Sequence, residues 1–352
     1  MDKNDLLKII VIILLVAILG VLMYMTFGKI DSFYSNRGMG KNPGGMMQED
    51  DEEKDVKEED VTANKTTTEE NIDLSGYDEN VSIDKKGTYN LSGEYKHTLI
   101  IDADGEVVLN FNGVSIENDI TGTIVNKSEN PLVINLVDGT ENKLIDGGSS
   151  EYNSCVFSYG PLTIKGNGSL LIEANQVDGE GIGTKNCDLT IESGDINIVC
   201  NDDGINAGGD GGSIIINGGN IYIKASGDGI DSNKDLIING GSIYTIGSSV
   251  GGDSGVDTDG EFKIIGGNLI ALGSDMLQNP SETTTQKYMS ANLKEKVTKG
   301  AEVVIKDANE KEIITFDASD DFRTIIVSLE DLNTGEYTVY VDGVKKEVLT
   351  VK

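Results

Sequence analysis

Residues 227–247 read GDGIDSNKDLIINGGSIYTIG. Two aspartates, Asp228 and Asp231, crowd against glycines, and two short β-branched runs then hinge on the pair Gly240-Gly241. The design repeats upstream as NDDGINAGGDGGSIIINGGNIYIKA (201–225) and downstream as SGVDTDGEFKIIGGNLIALG (254–273). Earlier copies are GEGIGTKNCDLTIESGDINIVC (179–200) and SCVFSYGPLTIKGNGSLLIEA (154–174). Alignment on the first apolar residue after each turn gives Val156, Ile182, Ile205, Ile230 and Val256, in steps of 26, 23, 25 and 26 residues. Ile124, in GTIVNKSENPLVINL, marks one more copy after a longer loop. A period in the mid-twenties with three short strands per copy predicts an all-β, single-stranded parallel β-helix. The leucine-and-asparagine pattern of leucine-rich repeats is absent, and propeller blades need roughly 40 residues per repeat.

The composition agrees, with 44 glycines and 4 prolines punctuating short Val, Ile and Thr runs. In LTIESGDINI the residues alternate, placing Leu189 and Ile191 inward and Thr190 outward. The glycine pairs beginning at Gly218, Gly240 and Gly266 fall where the chain must turn a corner, and only Gly takes positive φ without steric cost. Asn217 and Asn239 hold the same place in consecutive copies, which predicts a corner ladder.

Adjacent coils of a β-helix lie about 4.8 Å apart, so aligned residues stack. One column then holds Glu180, Asp203 and Asp228; another, three positions on, holds Asn206, Asp231 and Asp257, with Asp202, Asp253 and Asp259 close by. Like charges directly opposite each other destabilise a sheet. The stack therefore asks for a cation or a wide, wet loop. Hard oxygen ligands at loop positions suit Ca²⁺, whereas the single histidine, His97, and the scattered cysteines do not suit thiolate or imidazole metals. The plain alternative is that these aspartates favour turns and stay solvated.

The 352 residues divide into unlike parts. Leu6–Phe27 is apolar except for Lys8, and Ile9–Phe27 alone supplies 19 uncharged residues, enough to cross a bilayer. The shorter core and A-x-A-like site of a cleavable signal are not evident, which predicts a retained single-pass transmembrane helix over 1–28. Lysines and arginines lie on both sides of it, so the charge bias leaves orientation open. Residues 29–71 read as an acidic, extended tether, 72–280 as the β-helix, and 281–352 as a small antiparallel β unit with a two-residue turn at Asp342-Gly343. That unit is expected to cap the solenoid or to cover the outward column Thr190, Ile215, Ile237 and Lys263, which is too apolar for a free face. A net charge of −32, with Arg37 and Arg323 the only arginines, excludes a nucleic-acid partner. Three cysteines, Cys155, Cys187 and Cys200, give no disulfide framework; Cys200 aligns with Ala225 and Gly247, so a small buried thiol is expected there.

Beyond these patterns, GTYNLSGEY (87–95), VVLNFNGVSIEN (107–118), GTENKLIDG (139–147), the DGI coils and NTGEYTVYVDG (333–343) carry a resemblance. The chain over Ile72–Lys352 is similar to bacterial surface or secreted carbohydrate-binding domain proteins. That resemblance implies a right-handed parallel β-helix with bound calcium, an architecture like that of family 9 pectate lyases, and plant-type ligands such as polygalacturonate and cellulose.

Calcium on Asp203, Asp228, Asp231 and Asp257 would let so acidic a protein hold a uronate. Tyr222 and Tyr244 occupy equivalent outward places and form a candidate sugar platform, with Lys224 and Lys234 beside it; Tyr152 and Tyr159 are further aromatic candidates. A ladder of tyrosines is also ordinary β-helix decoration. The rival reading is a calcium-dependent pectate lyase, whose base must be a lysine lowered by desolvation or a nearby cation, leaving Lys185, Lys224 and Lys234. Salt-bridging to the surrounding aspartates is the plainer role for Lys185 and Lys234. A third reading is a calcium-stiffened stalk or adhesin that touches no sugar. Nucleophilic catalysis is excluded because no Ser–His or Cys–His arrangement can be built on His97 alone. The expectation is a membrane-anchored, extracellular protein that binds calcium and polysaccharide without cleaving it.

Overall fold

The computed structural model of the protein describes residues 61–63, 65–67 and 70–352. The apolar segment at Leu6–Phe27 and the tether up to residue 60 lie outside the described residues. Among the described residues no helix is long and apolar enough to cross a membrane.

Short β-branched strands stack in parallel along one face of a solenoid. They are Lys65–Thr67, Val81–Ile83, Leu99–Ile101, Ile124–Asn126, Ser154–Ser158, Glu180–Lys185, Ile205–Gly208, Ile230–Ser232 and Asp257–Thr258, a nine-stranded sheet. Ile124 pairs with Val156, Val156 with Ile182, Ile182 with Ile205 and Ile205 with Ile230, the register read from the apolar spacing. Two further stacks complete each coil. One runs from Leu132–Leu136 through Leu162–Gly166, Leu189–Ile191, Ile214–Ile216 and Leu236–Ile238 to Phe262–Ile264. The other runs from Glu141–Asp146 through Ser169–Ala174, Asp195–Cys200, Asn220–Lys224 and Ser242–Ile246 to Asn268–Gly273.

Inward residues of all three stacks form one core: Ile182, Ile205, Ile230, Leu189, Ile191 and Ile214 are fully buried. Cys155 and Cys200 are buried free thiols, and Cys187 is half-buried. Each glycine pair turns a corner in two ways. The second member takes positive φ, +98° at Gly219, +94° at Gly241 and +84° at Gly267. The first member passes under the preceding coil so closely that a Cβ at Gly240 would lie 2.7 Å from the Asn217 carbonyl oxygen. Beside this corner Asn239 Nδ2 donates to Asn217 Oδ1 at 2.8 Å.

The N-terminal coils are built differently. Gly87–Tyr95 and Val107–Asn118 are long strands, and Val107–Asn118 pairs with Leu132–Leu136 through its first half and with Glu141–Asp146 through its second. Its bend is at Gly113, φ +77°. An amide ladder, Asn135 to Asn110 to Asn90 to Asn71, with steps of 2.8, 2.8 and 2.9 Å, ties these coils together. Pairing already begins at Lys65, before the tether boundary read at residue 71.

The C-terminal unit continues the solenoid. Phe322–Ser328 pairs antiparallel with the last coil strand, Asn268–Gly273, and with Met289–Val297. A four-stranded antiparallel sheet follows, in the order Glu312–Asp317, Glu302–Asp307, Glu336–Val341, Val344–Thr350. Asp342 and Gly343 make its predicted turn, both at positive φ. Ile246 and Leu272 of the solenoid join Met289, Phe322, Ile325 and Val339 in a second core. Phe316, Ser319 and Asp320 of this unit meet Tyr244 and Lys224 of the solenoid, and Ile270 packs against the same second core; Ile215 and Ile237, of the column expected to be covered, are half-buried.

Candidate functional site

Outward residues of the nine-stranded sheet change chemistry along its length. In register they are Ile100, Val125, Phe157, Gly183, Asn206, Asp231 and Asp257. The first three are buried under Val61 and Tyr152, so one half of this face is an apolar satellite core. The other half is acidic, with Gly183 between them.

At the acidic end, the turn preceding each strand supplies the second column of the sequence reading. Glu180 Oε2 accepts from Ser154 Oγ at 2.6 Å, and its Oε1 accepts from Asn153 Nδ2 at 3.1 Å and Asn206 Nδ2 at 2.9 Å. Asp203 Oδ1 accepts the Asp228 backbone N–H at 2.7 Å, and its Oδ2 accepts from Asn206 Nδ2 at 3.1 Å. Asp228 Oδ1 in turn accepts the Ser254 N–H. Asp203 and Asp228 thus each staple their own coil to the next. Gly227 makes this possible, because a Cβ there would lie 2.4 Å from Asp203 Oδ1 and 2.6 Å from Asp202 Oδ1.

This crowding carries an electrostatic cost. Burial, then repulsion from Asp202, Asp228 and Asp231, pushes the Asp203 carboxyl up to about 8 despite the Asp228 N–H. Asp228 rises to about 7 through burial and the neighbouring Asp257, Asp231 and Asp253, and Asp231 to about 6 through burial, Asp257, Asp259 and Asp202. Glu180 rises to about 7, chiefly by burial. Burial first, and then like charges, also raise Asp202 and Asp253. The sequence-predicted ligands Asp202, Asp203, Asn206, Asp228, Asp231, Asp253, Asp257 and Asp259 are therefore brought to one region of the surface.

The donors there are carboxylate and amide oxygens. Asn206 Oδ1 is buried with no hydrogen-bond partner, an orphaned acceptor of the kind a hard cation satisfies. Among the described residues, however, no three His, Cys, Asp or Glu side chains stand together as a ready-made metal site. The acids are spread over successive rungs, and a cation would have to draw side chains from adjacent coils together.

The remaining candidates are dispersed. Tyr222 and Tyr244 stack with ring centroids 5.3 Å apart and 5° between planes. Tyr244 also meets Phe316 edge-on at 5.9 Å, and its hydroxyl lies 3.1 Å from Ser319 Oγ. Lys224 Nζ is 2.8 Å from Asp320 Oδ2. Tyr244 and Lys224 thus serve the docking of the C-terminal unit, and both tyrosines of the expected sugar platform are half-buried. Lys185 and Lys234 are exposed and make no ion pair among the described residues, contrary to the expected bridges to nearby aspartates. Tyr152 is buried, while Tyr159 is half-buried and lines an open groove with Lys127, Glu129, Pro161, Lys185, Asn186 and Cys187.

Sequence reasoning missed Asn153 and Ser154, which hold Glu180 from the preceding coil. Their signal was available, since Ser154 aligns with Glu180 in the same register. It also missed Lys127, which the longer loop after Asn126 separates from any repeat pattern.

Known proteins match this chain as follows. Residues 77–339 fit the profile of a family described as "Carbohydrate-binding domain-containing protein". A protein of that description from Acetivibrio thermocellus is 38% identical over 156 residues, covering 41% of this chain. The chain spans about half, 54%, of that relative's length. A solved structure described as the polysaccharide lyase-like protein from C. thermocellum, in a gadolinium derivative, is 31% identical, with a TM-score of 0.45, over 58% of this chain and 88% of its own.

Proposed function

Because the chain belongs to the carbohydrate-binding domain-containing protein family, we propose that it binds acidic polysaccharide, of the polygalacturonate type, along the outer face of the nine-stranded sheet with calcium between the two. The acidic stack carries this reading. Burial, and then repulsion from neighbouring carboxylates, lets Asp203, Asp228 and Asp231 hold protons above the usual carboxylate range, and the orphaned Asn206 Oδ1 stands among them. Asp203, Asp228, Asp231 and Asp257 with Asn206 would hold the ion, and Asp202, Asp253 and Asp259 would form its acidic surround. Calcium supplies positive charge that both the protein's carboxylates and a uronate can share.

Binding without cleavage is the reading the lysines favour. A lyase needs a base within reach of the sugar proton. Lys224 is committed to Asp320, and Lys185 and Lys234 are exposed ammonium groups, suited to pairing with a carboxylate rather than to removing a proton. We take the coil to be right-handed, the hand that parallel crossover connections adopt. We place the domain outside the cell, held by the apolar segment Leu6–Phe27.

Retention on gels of polygalacturonate, cellulose and xylan, with calcium or with chelator at physiological salt, tests the proposal. Polygalacturonate should retain the protein in calcium and release it in chelator. Equal retention in both conditions overturns the calcium bridge, and the appearance of unsaturated uronate absorbance overturns the non-catalytic reading.

A further inference from the structure

The apolar and acidic halves of the outer face do not exhaust it. One residue beyond the register pairs Asn126–Ser158–Thr184, three consecutive coils place Lys127, Tyr159 and Lys185 in a row. These residues, with Glu129, Pro161, Asn186 and Cys187, line a groove of about 580 Å³. Because its lining comes from three successive coils, the groove runs along the solenoid axis. Coil spacing of about 4.8 Å sets the two lysines one rung either side of the tyrosine.

Two features mark this row. Its lining places Lys127 and Lys185 beside Tyr159 in a chain whose net charge is −32. It also holds its aromatic ring in place. Tyr159 meets Phe157 edge-on at 5.0 Å and Tyr152 edge-on at 6.2 Å, each at 81°, so the ring is braced by the satellite core. Lys127 is positioned as well, its Nζ donating to the Val61 carbonyl oxygen. A fixed aromatic face beside ammonium groups suits a sugar ring carrying a negative charge, by stacking and by charge-assisted hydrogen bonds.

We propose that the Lys127–Tyr159–Lys185 groove is a calcium-independent subsite for the carboxylated sugars of an acidic polysaccharide. It rests on the reading of the protein as an acidic-polysaccharide binder, but uses none of the calcium-site residues. Lys185 shares its strand with Gly183, and Asn206 pairs with Gly183 in the next coil. The groove's own column continues from Lys185 to Gly208, two residues to the side of the acidic row, so a polymer that touches both crosses the sheet obliquely. Its carboxylates meet lysines directly at one end and calcium at the other.

Calorimetric titration with trigalacturonate, and with its neutral methyl ester, tests this in calcium and in chelator. Lys185→Gln should weaken trigalacturonate binding about three- to five-fold in both conditions, the scale of one exposed ion pair, while Lys185→Arg restores it and neither variant changes calcium affinity. The methyl ester should bind the wild type more weakly than the acid does. Equal affinity of Lys185→Gln and wild type, equal binding of acid and ester in chelator, or no binding of the acid in chelator would each overturn the subsite. A wild-type affinity that chelator leaves unchanged, but that still depends on Lys185, overturns the calcium bridge and leaves the groove standing.

Discussion

The two faces of the nine-stranded sheet differ by one residue along every strand, yet they obey opposite rules. Inside, Ile182, Ile205 and Ile230 repeat one chemistry, and each added copy improves the packing of its neighbours. Outside, Gly183, Asn206 and Asp231 sit on the same rungs, and each further acid makes the last one less tolerable. Stacking amplifies whatever is stacked. In the core it amplifies stability; on the surface it adds repulsion to the burial that already raises these carboxyls toward neutral pH.

Substitutions on adjacent residues test this contrast. Ile205→Ala should cost about 2–5 kcal/mol, since a solenoid core cannot collapse around the cavity without shifting two neighbouring coils. Urea denaturation measures it, and a loss under about 1 kcal/mol would mean that inner rungs relax independently.

The outer face should respond to conditions instead. Folded Asp203 keeps its proton up to about pH 8 and folded Asp228 up to about 7, whereas an unfolded aspartate releases its proton near pH 4. The folded state thus binds more protons across that interval, and stability must fall as pH rises through it. In chelator the protein should melt at a higher temperature at pH 5 than at pH 8. Calcium at about a hundred times its Kd should recover about 2.7 kcal/mol at the higher pH. Asp231→Asn should raise the chelated melting temperature at pH 8 and abolish the calcium response. Identical melting of the wild type at both pH values would show the stack to be solvated and unstrained.

The smallest effect separates two uses of the tyrosine ladder. Tyr244→Phe removes the hydroxyl contact to Ser319 and should cost about 1 kcal/mol, with polysaccharide retention unchanged. A loss of retention without a loss of stability would return the ladder to the sugar.

Much of this was legible because the repeat is strict. Five aligned apolar positions fixed the register, and the register alone placed Asn206, Asp231 and Asp257 in one column. The coils before Ile124 fall largely within the predicted β-helix of 72–280, but their boundaries do not show in the sequence, because Gly87–Tyr95 and Val107–Asn118 turn their corner inside a continuous strand without the Gly-Gly signal. The ladder Tyr222–Tyr244 was predicted, and its covering was not. Outwardness follows from alternation within a strand, but what lies over a face depends on where a later segment returns. The row of Lys127, Tyr159 and Lys185 is not legible for the converse reason, since Lys127 and Tyr159 fall one residue past their strands, where repeat patterns give way to loops.

The antiparallel strand Phe322–Ser328 has a bearing on how this protein behaves in a crowd. A parallel solenoid ends in a row of unsatisfied backbone groups that invites a second molecule to dock end to end. Here Asn268–Gly273 is paired along its whole length by a strand running the opposite way. That edge cannot template another copy of itself, and trimming the protein before Met289 would expose it to end-to-end pairing.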